Sequence, residues 1–472
     1  MIFPTATFTI FFLIVLPLSW LAMSDLRKWR IFIVAASYVF YGWWDWHFVF
    51  LLAGCTIWTH VLAVRIGRSE EPRTRKLLVW IAVAGDLAVL GYFKYYDFFV
   101  SSSHNLAVEV GVGLPFDTRS IVLPVGISFY TFMAISYVVD TYRGDFKPVT
   151  LGKFAAYLSF FPHLVAGPIV RGSELIPQME TRRDPRRVDT SRAFYLIATG
   201  LFKKVVIANY LAVHITDQVF AVPGSHSSLE ILVATYAYAV QIYADFSGYT
   251  DMAIGIALLL GFTFPQNFDS PYAATSLQSF WRRWHMTLSR WLRDYLYIPL
   301  GGNRKGHVRT YVNLMVTMLL GGLWHGASWT FVIWGGIHGS GLAVERWRRD
   351  RRGAAEAEPG PVKVWLLRLL TFNVVCFAWI FFRADSIARA WQMITGLFTG
   401  WGEASPLVTS GVLLWILVGI ASQYLPKRVP LGLMARFSRL PVVGQAAVLG
   451  AALMLANAMG PQGVSPFIYF RF

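Results

Sequence analysis

Long apolar runs joined by short basic connections constrain this chain more than any other feature. They fall near 8–26, 31–46, 47–66, 77–93, 121–140, 193–213, 231–262, 309–323, 329–345, 364–382, 408–425 and 441–459. A stretch of about 20 apolar residues crosses the bilayer hydrocarbon as a helix, because lipid offers the backbone no other hydrogen-bond partner. Hydrophobic residues make up 56% of the 472 and charged residues only 14%, more apolar surface than a soluble core can hide. The chain reads as an all-α polytopic membrane protein of roughly 11–13 membrane helices. One integral domain over 1–472 accounts for it.

The formal net charge of +16 suggests nucleic acid in a soluble protein. Here Lys and Arg sit in the connections between apolar runs, so the charge reports topology and anionic lipid, and no nucleic-acid partner is implied. Basic clusters at 27–30, 65–76, 143–153, 171–192, 282–309, 346–352 and 427–439 fall on one side of the count, which is then cytoplasmic. Segments near 171–192, 274–308 and 346–363 are the main cytoplasmic stretches, and both termini are expected outside, with a tail at 460–472. The run from Phe8 to Met23 has no basic residue ahead of it and reads as an uncleaved first span. Cys55 and Cys376 lie inside apolar runs and are expected to be small buried residues.

Two segments depart from simple spans. The run 154–170 carries Pro162, Gly167 and Pro168 and reads as re-entrant or broken. The segment Ser276 to Leu300 gathers Trp281, Trp284, Leu288, Trp291, Leu292 and Tyr295 on one helical face and arginines on the other, as an interfacial helix does. His285 falls at the edge of its apolar face. Two readings stay open for it, a satisfied histidine in an aromatic belt or a titratable ring in a site.

Ionisable groups at membrane depth are costly, and they are rare unless they line a cavity and act there. The run Gly321-Gly322-Leu323-Trp324-His325-Gly326-Ala327-Ser328-Trp329 places an imidazole there, which makes His325 the leading catalytic candidate. Asp245 and Asp251 sit at the centre of another run, about 120° apart on a helix, and need partners from neighbouring arginines or histidines. A structural ion-pair role and a catalytic one both stay open for them. The loop Gly301-Gly302-Asn303-Arg304-Lys305-Gly306-His307 is glycine-rich and basic; it suits phosphate binding, or is an ordinary membrane-flanking loop. No G-x-S-x-G elbow, no H-E-x-x-H pair and no cysteine in a polar setting occurs, and no metal site is expected. What remains is a buried histidine suited to general-base work on a hydroxyl.

Several segments carry a resemblance: LPVGISFYTFMAISYVVDTYRG at 123–144, FFPHLVAGPIVR at 160–171, YADFSGYTDMAIG at 243–255, FWRRWHMTLSRWLRDYLYIPLGGNRKG at 280–306 and LWHGASWTFVIWGGIHG at 323–339. By these the chain resembles the membrane-bound O-acyltransferases, and within them the bacterial polysaccharide O-acetyltransferases of the alginate-acetylating type. The resemblance implies a bundle with re-entrant and interfacial segments around a central tunnel, in the bacterial inner membrane. It implies a catalytic His325, a second functional histidine at His285, and acetyl-CoA as cytoplasmic acyl donor. Arg304 and Lys305, with Asn303, are then expected near the CoA phosphates, and His285 is expected to orient the acceptor or stabilise the oxyanion. Trp324 and Trp329 are site walls, Trp324 beside the cofactor, or packing. The implied partners are extracytoplasmic acetyltransferases of a polysaccharide export system. Peptidoglycan is the alternative acceptor, and a transporter or proton-relay protein the alternative class.

Four of the last six residues of the tail are aromatic. The tail resembles the aromatic C-terminal motif of small partner subunits used by related D-alanylating acyltransferases, where a tyrosine carries the acyl group. That likeness makes Tyr469 an acyl carrier; an interfacial aromatic anchor explains the same composition.

Overall fold

The computed structural model describes residues 1, 3–110, 118–352, 359–426 and 428–459. Among them every regular element is a helix, and each predicted apolar run coincides with one. Four helices are long and apolar enough to cross a membrane by length and composition: His47–Arg68, Pro72–Glu109, Thr190–Ala221 and Pro361–Arg383. The protein is a multi-pass, all-α membrane protein. Two compact units form, one of Met1–Ala193 with Ala253–Pro265, the other of Phe194–Met252 with Gln266–Phe472.

In the first unit, helices Ala6–Ala22, Leu26–Gly42, His47–Arg68 and Pro72–Leu90 follow one another with short turns. Helix Ile127–Arg143 is buried on every side from Ile127 to Val138, as a helix that is apolar all round must be. The run 154–170 is broken as expected: helix Leu151–Ser159 stops at Phe160, and the single turn Phe161–Leu164 follows with Pro162 in its first positions. The freed polar groups are satisfied locally. Tyr157 Oη donates to the Val170 carbonyl at 2.9 Å, and His163 Nε2–H donates to the Tyr157 carbonyl at 2.9 Å. Gly167 packs against His163 so closely that a Cβ there would collide with its backbone.

In the second unit, the long helix that begins at Ser228 carries both Asp245 and Asp251 before Met252, where that unit's share of it ends. Their partners are consecutive lysines, in place of the expected arginines and histidines. Lys204 pairs with Asp245, both sealed from solvent, and Lys203 pairs with Asp251 at 2.6 Å. Both lysines leave the wide turn of Phe202–Ala208, which opens where Gly200 and Gly248 bring the two backbones into contact. Breaking a buried pair strands a charge, so the structural reading accounts for these carboxylates. Cys55 and Cys376 are free and buried.

Helices His307–His325 and Trp329–Arg352 form an antiparallel hairpin with a three-residue turn. Glycines set its closeness. A Cβ on Gly322 would strike the Phe331 carbonyl, one on Gly335 the Met318 carbonyl, and one on Gly339 the Met315 side chain. Gly335 and Gly339 are spaced as G-x-x-x-G, the pattern that lets membrane helices approach backbone to backbone.

Candidate functional site

The hairpin turn delivers His325. The ring is 2% exposed and closes the C-terminal end of helix His307–His325. Trp324, Trp334 and Phe382 surround it at centroid distances of 5.0, 5.1 and 5.3 Å. Gly326 is required beside it, because a Cβ there would occupy the Phe331 ring. The apolar box strips water from the imidazole while leaving it within reach, among the described residues, of another titratable ring. That ring is His285, 6.5 Å away between centroids.

His285 arrives by a route that helical periodicity does not describe. Ser276 to Leu300 is not one interfacial helix. Helix Leu277–Trp281 ends, His285 takes the left-handed conformation at φ 41°, and a second helix, Met286–Leu292, starts from it. A non-glycine residue there costs roughly 1–2 kcal/mol, so the surroundings must hold it. They do so through the segment at Asn267 and Asp269: Met286 N–H donates to the Asn267 carbonyl at 2.9 Å, and Asp269 N–H to the Arg283 carbonyl at 2.9 Å. The first short helix is held at its start by Glu345, whose carboxylate accepts from the Leu277 and Gln278 amides at 2.5 and 3.0 Å. Helical continuity failed here because tertiary hydrogen bonds outcompete one turn of local helix.

The outcome for His285 is complete burial, with Phe246 edge-on at 4.7 Å and Trp324 at 6.1 Å. Its Nδ1 lies 3.2 Å from Asn267 Oδ1. Burial pushes the imidazole down, to about 3, so the ring is neutral near physiological pH.

A third histidine, His338, completes the cluster and was not singled out from the sequence, although it stands in the quoted motif at 323–339. It is fully buried, stacked on Phe280 and 4.9 Å from Trp334. Trp281 Nε1–H donates to its Nδ1 at 3.3 Å, which leaves the proton on Nε2. Its spacing from Trp334 and Gly341, four and three residues, puts all three on one helix face.

That face leads to a cavity of about 640 Å³. Leu277, Gly341, Glu345 and Leu370 line it, and Arg348, Arg349 and Lys363 give it positive charge. Gly341 keeps Leu277 against the helix, since a Cβ there would overlap the leucine side chain. Asn303, Arg304 and Lys305 do not line this cavity; all three are exposed on the glycine loop. The loop nevertheless borders the same helix end. His307 Nδ1 approaches Asp350 at 3.0 Å, and Arg346 pairs with Asp350 at 2.9 Å. Of the two tryptophans, Trp324 is 3% exposed against both histidines, whereas Trp329 is 53% exposed. Tyr469 falls outside the described residues.

A family model described as MBOAT, membrane-bound O-acyltransferase family, matches residues 2–355. A probable alginate O-acetylase AlgI of Pseudomonas aeruginosa is 44% identical over 404 residues, covering 84% of this chain and 75% of its own. A peptidoglycan O-acetyltransferase of Helicobacter pylori is 37% identical over 395 residues, 78% of this chain and 73% of its own. A teichoic acid D-alanyltransferase of Streptococcus thermophilus is 30% identical over 291 residues, 56% of this chain and 69% of its own.

Proposed function

This chain belongs to the membrane-bound O-acyltransferase family and is an acyltransferase, and from that premise we propose that it moves acetyl from cytoplasmic acetyl-CoA for O-acetylation of an exported, alginate-like polysaccharide. The reading is supported above all by one helix face. Along Trp329–Arg352, residues Trp334, His338, Gly341, Glu345 and Arg348 recur at spacings of three and four, from the His325 box to the basic cavity. About 21 Å of helical rise separates Trp334 from Arg348, a span suited to an extended pantetheine arm.

In this mechanism Arg348, Arg349 and Lys363 meet the CoA phosphates at the cavity mouth, with Arg304, Lys305 and Asn303 on the neighbouring loop as a wider positive rim. The arm passes Gly341 and His338 and presents the thioester to His325. A hydroxyl attacks the acetyl carbonyl as His325 takes its proton. The C–S bond breaks, and the proton leaves with the CoA thiol. His285 orients the attacking hydroxyl, and Trp324 forms the wall between the two rings. Tyr469 is the hydroxyl that first receives acetyl, handing it to extracytoplasmic acetyltransferases of the export system. The site of action is the bacterial inner membrane.

Purified protein in proteoliposomes, given acetyl-CoA labelled in the acetyl group, should release free CoA and label acceptor in a His325-dependent way. Absence of His325-dependent turnover would overturn the reading. The relative named as a peptidoglycan O-acetyltransferase supplies the second acceptor; O-acetyl measured on exported polysaccharide and on muropeptides of a deletion strain separates the two. Retained polymer acetylation in Tyr469→Phe would remove the carrier role and leave the tail as an anchor.

A further inference from the structure

Asn267 Oδ1 is a shared acceptor at the turn that carries His285. It accepts the Thr287 backbone N–H at 3.2 Å and the Thr287 hydroxyl at 2.9 Å, and it faces His285 Nδ1 at 3.2 Å. A backbone amide can only donate, so this atom of Asn267 is the oxygen and not the amide nitrogen. An oxygen that accepts from Thr287 can meet His285 Nδ1 only if that nitrogen carries the hydrogen. In a neutral ring, Nε2 is then the lone-pair nitrogen.

We propose that Asn267 is a positioning residue that locks His285 in the Nδ1–H tautomer, so that His285 accepts the hydrogen bond of the attacking hydroxyl through Nε2 and cannot donate to an oxyanion. The proposal rests on the acyl-transfer reading for its catalytic consequence, and on hydrogen-bond geometry alone for the tautomer. It selects between the two roles that the sequence leaves to His285: a ring whose Nε2 has no hydrogen orients a hydroxyl and offers nothing to a developing alkoxide. The left-handed backbone of His285 has a matching explanation. At that turn the ring's Nδ1 and the Thr287 amide meet the same oxygen, while the Asn267 carbonyl holds Met286. Among the described residues, Phe246, Phe268, Trp324 and His325 have rings against His285, and of these four His325 is the titratable one.

The test has a structural arm and a kinetic arm, both on the full chain in detergent. Nitrogen-15 histidine spectra, with the His285 signal assigned by its loss in His285→Gln, should show a protonated Nδ1 and an unprotonated Nε2. Asn267→Ala should lose that single-tautomer signature. An Nε2–H signature in the unmutated chain would overturn the proposal whether or not acyl transfer is observed. In the kinetic arm, Asn267→Ala should lower kcat by about 10- to 100-fold with little change in KM for acetyl-CoA, the scale seen when an outer partner that orients a histidine is removed.

Asn267→Asp keeps the acceptor geometry and adds a negative charge, so it should restore most of kcat and move the acid limb of the pH profile upward, because a carboxylate beside an imidazole favours its protonated form. Thr287→Val, which removes one contact to Asn267 but leaves the ring's own, should stay near the unmutated kcat. Asn267→Ala at full kcat, or Asn267→Asp as impaired as Asn267→Ala, would sink the positioning role.

Discussion

His163 and His285 occupy matching local settings and end in different surroundings. Each is fully buried, each sits at or within three residues of a break between two short helices, and each has one nitrogen held by an oxygen. His163 spends its Nε2–H on the carbonyl of Tyr157, six residues back in its own segment, and its ring stacks on Phe264 with Tyr157 and Phe160 edge-on. That is a closed arrangement in which the imidazole staples a broken segment. His285 is held by Asn267, and its ring faces a second histidine across 6.5 Å. Burial alone therefore does not distinguish the two; what sets His285 apart from His163 is a second imidazole in the same apolar box.

The largest effect should come from His325. His325→Ala should cut acyl transfer by about 10²- to 10⁴-fold, the contribution of a positioned base, while membrane insertion and expression stay near normal. Turnover at the unmutated rate would dissolve the distinction between the two units' histidines.

The paired substitutions His285→Ala and His163→Phe test the comparison directly. His285→Ala should lose about 10²-fold in turnover of the folded fraction, beyond the stability lost to the cavity that a buried ring leaves. His163→Phe keeps a ring but removes one of the two donors to the Tyr157 carbonyl, which retains the Phe160 N–H at 3.3 Å; this should cost about 0.5–1.5 kcal/mol of stability and leave the specific activity of the folded fraction intact. Reversed phenotypes would break the comparison.

Gly322→Ala sharpens it by asking how finely the hairpin places His325. The added methyl collides with the Phe331 carbonyl, so the helices must separate. We expect a loss of about 1–3 kcal/mol from overpacking and a fall in kcat larger than the fall in folded yield. Thermal melts and active-fraction assays read the two separately.

The smallest effects belong to the cavity mouth. Arg348→Ala and Lys363→Ala should each raise KM for acetyl-CoA about three- to tenfold with kcat little changed, because remote phosphate contacts bind ground and transition states alike. Arg304→Ala and Lys305→Ala should do less, since those side chains do not line the cavity. Equal effects from both pairs would move the phosphate site back to the glycine loop.

The helices were legible because a membrane helix is written locally: each apolar run appears as a helix, and among the described residues four of these are long and apolar enough to cross a membrane, since lipid leaves a backbone no alternative. His325 was legible for the same reason, as an imidazole amid glycines in apolar sequence. The break in the run 154–170 was announced by Pro162 and Gly167.

The turn at His285 had no such local mark. Its sequence has good helical periodicity, and what breaks it is hydrogen bonding to Asn267 and Asp269. The lysine partners of Asp245 and Asp251 lie more than forty residues away in the chain, so no pattern around either aspartate names them. Nor does the exposure of Trp329 follow from its motif, where it looks the equal of Trp324.

The sequence by itself determined that the chain is a helical membrane protein, which family it resembles, and that His325 stands where charge is expensive, because hydropathy and motif are properties of neighbours along the chain. Tertiary structure alone decided which histidine faces His325, which nitrogen of His285 carries the proton, and which basic residues open onto the cavity. Each of those depends on groups brought together across distant segments, and a hydrogen bond of about 3 Å is decided by packing that no local period encodes.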